Sequence, residues 1–148
     1  MIKVHRILYP TDFSKASGPA FARALELAKQ SRAELVLVHV LTPPTPYIGD
    51  GYVSPQTYKN LEDSARRWAQ KQISPLVDKA KKAKVRVKAL LLHGVPYDQI
   101  VRAARSSKAG LVVMGTHGRT GFSRFFLGSV AERVIPLAHC PVLTVRGK

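Results

Sequence analysis

Closely spaced glycines follow one short apolar segment and are the first feature of the sequence that could bind a ligand. They stand at positions 115, 118 and 121, directly after Leu111–Met114, and Gly128-Ser129 then opens a segment with helical spacing. Because glycine has no Cβ, a phosphate can lie against its backbone N–H groups and gain from the dipole of a helix N-terminus. Arg119 and Arg124 lie between these glycines and could add charge-assisted contacts. Glycines after a strand also serve merely to turn the chain, so the spacing alone leaves both interpretations open.

The sequence around these glycines contains few residues that could catalyse a reaction. The nucleotide-binding patterns Gly-x4-Gly-Lys-Ser/Thr and Gly-x-Gly-x-x-Gly do not occur in the sequence. Asp12, in the run Tyr9-Pro-Thr-Asp12, is the only carboxylate expected at the ligand edge, so a pair for acid–base work lacks its second member. His117 has no carboxylate partner nearby in sequence, which favours a positioning role. His39 is expected to be a satisfied core or strand-end histidine, and Cys140 a small buried hydrophobe.

Strand-like segments alternate with segments of helical spacing along the chain. The predicted strands are Val4–Tyr9, Glu34–Leu41, Val85–Leu92, Leu111–Met114 and Pro141–Val145. The predicted helices lie at about 16–30, 61–83, 96–106 and 129–137. This alternation predicts one α/β domain over residues 1–148, an open and mostly parallel sheet with helices on both faces. Ligands of such sheets bind at the carboxyl ends of the strands, where Asp12 and the glycines fall.

Two segments depart from this regular pattern. Residues 42–55 are rich in proline and glycine and include Tyr47 and Tyr52, which predicts a long loop. A variable surface connection is the favoured interpretation, and a lid over a ligand is the alternative. Pro75 is expected to kink or split the second helix, on whose apolar face Trp68 is placed.

Bulk properties limit the class of protein. The longest apolar runs fall far short of the roughly 20 residues that cross a bilayer, so no contact with a membrane is expected. The N-terminus lacks the apolar core of a secretory signal, and the lone Cys140 agrees with a reducing compartment. The sequence therefore predicts a cytoplasmic protein.

The charge balance is the unusual bulk property. The chain has 24 Lys and Arg against 9 Asp and Glu, a net charge of +15. Many of these cations cluster between Arg66 and Lys88, where a solvated outer face is the ordinary explanation. Because Trp68 is the only aromatic residue in that stretch to stack a base, nucleic-acid binding is expected to be at most weak, non-specific and sensitive to salt.

Three motifs together resemble the universal stress protein family, in its ATP-binding branch. They are Tyr9-Pro-Thr-Asp-Phe-Ser14, Val38-His-Val40 and Gly115-x2-Gly118-x9-Gly128-Ser129. The closing stretch Leu127–Val134, followed by Cys140-Pro-Val-Leu143, is also similar to the end of that family's sequences. The resemblance covers nearly the whole chain.

The resemblance implies a Rossmann-like, adenine nucleotide-binding fold with sheet order 3-2-1-4-5 and a protomer that dimerises. In that order Pro141–Val145 would be an edge strand with apolar or β-branched residues on both faces, so we expect a homodimer through the last strand. The resemblance also implies ATP as ligand and leaves open a Mg²⁺ or Mn²⁺ on the phosphates. Asp12 would face the ribose and adenine, Pro10 and Thr11 would shape that edge, and the backbone of Val40 would contact adenine. The residues expected around the ribose and phosphates are Met114, Gly115, His117, Gly118, Arg119, Gly128, Ser129 and Val130.

These features predict a nucleotide-dependent stress or signalling module rather than a rapid enzyme. A slow metal-dependent ATP hydrolase that uses the same pocket is the first alternative. A basic protein that binds nucleic acid or, less favoured in view of the short apolar runs, a membrane surface is the second.

Overall fold

A five-stranded sheet forms the centre of the molecule. The computed structural model describes residues 3–42, 47–48, 51–116 and 127–147. Its sheet strands are β1 (Arg6–Pro10), β2 (Glu34–Leu41), β3 (Val87–His93), β4 (Leu111–Gly115) and β5 (Val142–Val145). Every neighbouring pair is parallel, and the order is β3-β2-β1-β4-β5. The predicted fold class and strand order are therefore confirmed.

Helices cover both faces of this sheet, as expected. They are α1 (Gly18–Ser31), α2 (Pro55–Lys82), α3 (Pro96–Ser106) and α4 (Ser129–Leu137). The helices α1 and α2 pack on one face through Phe21 and Ile73, whereas α3 and α4 pack on the other through Ile100 and Val134. A single turn of 3-10 helix at Lys15–Ser17 precedes α1.

The pairing of the central strand β1 with its two neighbours determines where the sheet opens. Thr11 N–H donates to the carbonyl of Val38 on β2 at 2.8 Å, so β1 stays paired with β2 to its end. Because successive N–H groups of a strand point to opposite sides, the nitrogen of Pro10 faces β4. Proline has no N–H to donate there, and the described β1–β4 register ends at Leu8↔Val112. Pro10 is therefore the last residue of β1, one residue beyond the predicted strand Val4–Tyr9, and its missing N–H ends the pairing of β1 with β4.

Helix α2 differs from the sequence-based expectations in two respects, its continuity at Pro75 and the exposure of Trp68. It runs unbroken from Pro55 to Lys82 and is not split at Pro75, which is exposed, whereas a kink at Pro75 stays a prediction. The missing hydrogen bond of one proline is offset because the flanking residues Ile73 and Leu76 pack on the sheet. The buried side chains are Ala69, Ile73 and Ala80, whereas Trp68, expected on the apolar face, is 41% exposed.

The segment at 42–55 is not wholly irregular, which corrects a third expectation. Tyr47–Ile48 and Gly51–Tyr52 form a two-residue antiparallel ladder. Ser54 then caps α2, its Oγ accepting from Thr57 N–H at 3.2 Å, with Pro55 in the first turn. These capping residues start the helix several residues before its apolar repeat begins.

Three of the four helices end in the same way, at the amino end of the sheet. Each is followed by a basic residue in the left-handed conformation: Arg32 (φ 54°), Lys84 (φ 61°) and Lys108 (φ 56°). The next residue is apolar and buried, and its N–H donates back to the last turn of the helix: Ala33 to Ala28, Val85 to Ala80 and Ala109 to Ala104. This is a Schellman motif, in which glycine is the usual left-handed residue.

Lys84 provides a test of this arrangement. Lys84→Gly should raise the free energy of unfolding by about 0.5 kcal/mol, because glycine adopts this φ without steric cost. Lys84→Val should lower it by about 1–2 kcal/mol, because a branched Cβ clashes there. Lys82→Gly, two residues earlier inside α2, is the matched control and should lower it by about 1 kcal/mol. Urea unfolding measures all three, and a loss of stability in Lys84→Gly equal to that in Lys82→Gly would contradict the assignment.

Candidate functional site

A cavity of about 810 Å³ lies at the carboxyl ends of β1, β2 and β4. The connection after β1 leads to α1 on one face, and α4 lies on the other face. The chain therefore diverges on the two sides of the β1–β4 boundary, the place where open α/β sheets bind ligands. The volume falls within the roughly 300–1,000 Å³ range of small-molecule sites.

Thr11 holds the first wall of the cavity against β2. Its N–H donates to Val38 O, and its own carbonyl lies 2.8 Å from Nδ1 of His39. A carbonyl can only accept, so Nδ1 of His39 carries the proton. Thr11 Oγ1 also accepts from Phe13 N–H at 3.0 Å and lies 3.2 Å from Ser17 Oγ. Buried Thr11 thus fixes the direction in which the chain leaves β1.

Asp12 lies on this wall in a defined orientation. One carboxylate oxygen, Oδ1, accepts from Ser14 N–H at 2.9 Å, which closes an Asx turn. The residue is half-buried and lines the cavity. The hydrogen bond fixes the side chain without using all the acceptor positions of the carboxylate.

An aromatic group of three side chains, Phe13, His39 and Trp68, borders the same wall. Phe13 has a φ of 64°, unusual for a bulky residue. Its ring packs on His39 with centroids 4.4 Å apart and meets the Trp68 indole edge-on at 5.6 Å. His39 and Trp68 both line the cavity. Helix α2 therefore supplies an aromatic side chain to the site.

Tyr9 anchors the turn between β1 and α1 beneath the cavity. Its hydroxyl donates to Ser17 O at 2.8 Å, and its ring packs against Phe21 with centroids 5.5 Å apart. Burial raises the pKa of the Tyr9 phenol above its ordinary value, so the group stays protonated and keeps donating. This bond ties the central strand to the turn that follows the Asp12 wall.

The opposite wall is the N-terminus of α4. Gly128 is the N-cap residue in extended conformation, and its N–H donates to Thr116 O. The first hydrogen bond of the helix runs from Glu132 N–H to Gly128 O. Within the described ranges, no residue accepts from the N–H groups of Ser129, Val130 and Ala131, all of which line the cavity. Such a helix end is suited to an anion.

The floor between these walls is apolar. Val40 comes from β2, Met114 from the end of β4, and Pro96 and Ile100 from α3. Among the described lining residues, Asp12 and His39 are the only titratable groups. The cavity thus combines a surface suited to a flat ring with one carboxylate and one open helix end.

The structure brings most of the predicted site residues to this cavity. Those that line it are Pro10, Thr11, Asp12, Val40, Met114, Gly115, Gly128, Ser129 and Val130. His117, Gly118 and Arg119, together with Arg124, lie outside the described residues. Their expected roles stay predictions.

Several lining residues were not predicted from the sequence. They are Ser17, Val38, His39, Leu41, Thr42, Ala65, Trp68, Pro96, Ile100, Thr116 and Ala131. The sequence predicts only a core or strand-end position for His39, and the packing of α2 places Trp68 beside it. Of these residues, Pro96 could have been found from the sequence. A proline that opens the helix after β3 must lie at the carboxyl edge of the sheet, where ligands bind.

Acid–base and thiol chemistry have little support in this geometry. Asp12 is the only carboxylate in the described lining, and the described residues contain no cluster of three His, Cys, Asp or Glu that could hold a metal ion. Burial raises the pKa of the Cys140 thiol, and Cys140 does not line the cavity. The described part of the site is therefore suited to binding.

Comparisons with known proteins agree with this fold. The model of the universal stress protein family matches residues 3–146. Universal stress protein MJ0531 of Methanocaldococcus jannaschii is 37% identical over 141 residues, which are 95% of this chain and 81% of that protein. The solved structure of MJ0577, from the same organism, has a TM-score of 0.82 and 28% identity and covers 99% of both chains.

A universal stress protein of Archaeoglobus fulgidus, solved in complex with dAMP, has a TM-score of 0.67 and 26% identity and covers 98% of this chain and 100% of its own. The family match extends over nearly the whole sequence, and the strand order is the one that the motifs implied. The chain belongs to the universal stress protein family.

Proposed function

We propose that the cavity binds an adenine nucleotide, that ATP is its ligand in the cell, and that the protein is a nucleotide-dependent stress or signalling module. One observation carries the proposal: an apolar cavity whose described lining has a single carboxylate, on the β1 side, and the N-terminus of α4 on the β4 side. The dAMP complex of the Archaeoglobus fulgidus relative supports an adenine nucleotide as the class of ligand. A cytoplasmic location stays a prediction.

The two walls would bind different parts of the nucleotide. Asp12 would accept hydrogen bonds from the ribose, and the backbone of Val40 would contact adenine. The N–H groups of Ser129 and Val130 would donate to the phosphates, where the α4 dipole also attracts negative charge. His117, Gly118 and Arg119 would join the phosphate side.

A divalent cation would be held chiefly by the phosphates of the nucleotide and by water. Among the described lining residues, the Ser129 hydroxyl is near the proposed phosphate position, whereas the only carboxylate is on the nucleoside side. Mg²⁺ is commonly held by phosphates, water and few protein ligands, and this donor set fits that pattern. The ion would neutralise phosphate charge.

Binding without rapid turnover is the favoured role. The described part of the cavity shows no carboxylate pair to activate water. The alternative is a slow metal-dependent hydrolase, and a phosphate-release assay with and without Mg²⁺ or Mn²⁺ distinguishes it. Release that depends on the metal and disappears in Gly128→Val would favour the hydrolase.

None of the helices in the described parts of the chain is long and apolar enough to cross a membrane.

Gly128→Val tests the phosphate wall. Gly128 has φ −63° and ψ 152°, which valine also adopts, so the variant should fold. Its branched side chain would stand where phosphates must approach backbone N–H groups. ATP affinity should fall by at least about tenfold, ~1.4 kcal/mol, while adenosine affinity changes by less than about twofold. Emission from Trp68, the only tryptophan, measures binding because its side chain lines the cavity.

Asp12→Asn is the matched variant for the nucleoside wall. Asparagine keeps the oxygen that accepts from Ser14 N–H, so the turn is retained while the charge is lost. ATP and adenosine should then weaken together, by about tenfold. Wild type that binds neither ATP nor ADP by calorimetry would refute the proposal. Gly128→Val that binds ATP normally would refute the phosphate assignment alone.

We also propose that the protein is a homodimer paired through β5. This strand is at the edge of the sheet, and its Leu143 is 38% exposed. Ile135 and Leu137, in the last turn of α4, are exposed as well. An edge strand with apolar side chains favours pairing with a second copy.

Leu143→Lys should convert the dimer to a monomer at micromolar concentration, because two copies would bring buried like charges together. Leu61→Lys is the matched control, since Leu61 is also 38% exposed but lies on α2. Light scattering should show the loss of mass in the first variant alone. An unchanged dimer in Leu143→Lys would place the interface elsewhere.

A further inference from the structure

The basic residues concentrate at the edge of the sheet opposite the cavity. We call this the basal edge and define it by residues 3–6, 29–35, 79–88 and 105–110, which are the ends of α1, α2 and α3 with the strand starts beside them. Half of the chain's 24 Lys and Arg lie in these segments. They are Lys3, Arg6, Lys29, Arg32, Lys79, Lys81, Lys82, Lys84, Arg86, Lys88, Arg105 and Lys108, and all are exposed.

Backbone hydrogen bonds make these segments one continuous surface. Leu35 N–H donates to Arg86 O at 2.8 Å, and Glu34 N–H donates to His5 O at 2.9 Å. Gly110 N–H donates to Arg6 O at 2.9 Å, so the starts of β3, β2, β1 and β4 lie side by side. The Arg6 side chain also donates to the carbonyl of Ser107, at the end of α3, at 3.2 Å.

The positive charge of this edge is almost uncompensated. Glu34 is the only acidic residue in these four segments, and its Oε1 pairs with Arg6 at 3.2 Å. The pair is partly exposed, which leaves its contribution to stability small. Cations at helix C-termini complement the helix dipoles, but the last turns already carry basic residues for that purpose.

Three of these cations occupy positions where glycine would be less strained. Arg32, Lys84 and Lys108 are the left-handed residues of the three Schellman motifs. A basic side chain stands there in each helix although a side chain in this conformation has a steric cost. These three positions add exposed cations to the basal edge beyond those in the last helical turns.

We propose that the basal edge binds the phosphodiester backbone of nucleic acid without reading its sequence. Lysine and arginine on an exposed surface bind phosphates and release their counterions. The large apolar side chains that are exposed among the described residues do not occur in the basal segments. A membrane surface or a protein interface would ordinarily require such side chains, whereas a phosphate backbone does not.

The dimensions of the edge suit this ligand. Four neighbouring strand starts span three inter-strand spacings, about 14 Å. Duplex DNA carries one charge per roughly 1.7 Å of its axis, so this width meets several phosphates at once. The edge is at the other end of the strands from the cavity, so binding there does not depend on the nucleotide.

The test is a triple variant in which Arg32, Lys84 and Lys108 are replaced by glycine. Glycine suits all three positions, so the variant should stay folded, which circular dichroism checks. Its control is Lys59→Gln, Arg67→Gln and Lys71→Gln, three exposed positions on α2 that lower the net charge equally, to +12. Fluorescence anisotropy with a labelled ~30-base-pair duplex between ~25 and ~250 mM NaCl gives the affinity and its salt slope.

The glycine variant should lose about tenfold or more in affinity at low salt, and its salt slope should fall by about 3, while the control slope falls by less than about 1. Equal losses in both variants would overturn the proposal in favour of net charge alone. Absence of wild-type binding at ~25 mM NaCl would also overturn it. Preferential association with phosphatidylserine vesicles over DNA would overturn the proposal as well. A strong preference for one DNA sequence would also overturn it.

Discussion

The position of Thr11 at the end of β1 is the constraint on which the site depends. Both of its backbone groups are bound to β2, the N–H to Val38 O and the carbonyl to His39 Nδ1. One residue earlier, Pro10 offers no N–H to β4. The central strand thus stays paired on one side and separates on the other, which opens the cavity at the β1–β4 boundary and aims Asp12 along its wall.

The polarity of the βα units then places two different anion-attracting surfaces at the two ends of the molecule. At the carboxyl ends of the strands, the N-terminus of α4 and the apolar floor suit a small anionic ligand with a flat ring. At the amino ends, the exposed cations of the basal edge offset the negative ends of three helix dipoles and suit the extended polyanion proposed above. The +15 charge, which the cavity leaves unexplained, has its densest part at the basal edge.

The sequence predicted the elements well because strands buried on both faces are almost uniformly apolar, as in Glu34–Leu41. Strand order came from the family resemblance, since periodicity alone cannot rank parallel strands. The partial exposure of Trp68 could not be predicted, because helical spacing marks an apolar face without showing which of its side chains border a cavity. The helix ends were missed because the left-handed positions hold Arg32, Lys84 and Lys108 instead of glycine, which is the usual signal.

A crystal structure of the protein with ATP tests the central claim most directly. The account predicts adenine beside the Val40 backbone, the ribose within hydrogen-bond distance of Asp12, and phosphates against the N–H groups of Ser129 and Val130. A nucleotide bound outside the cavity, or one bound in reverse with its phosphates beside Asp12 and its base at the N-terminus of α4, would contradict it.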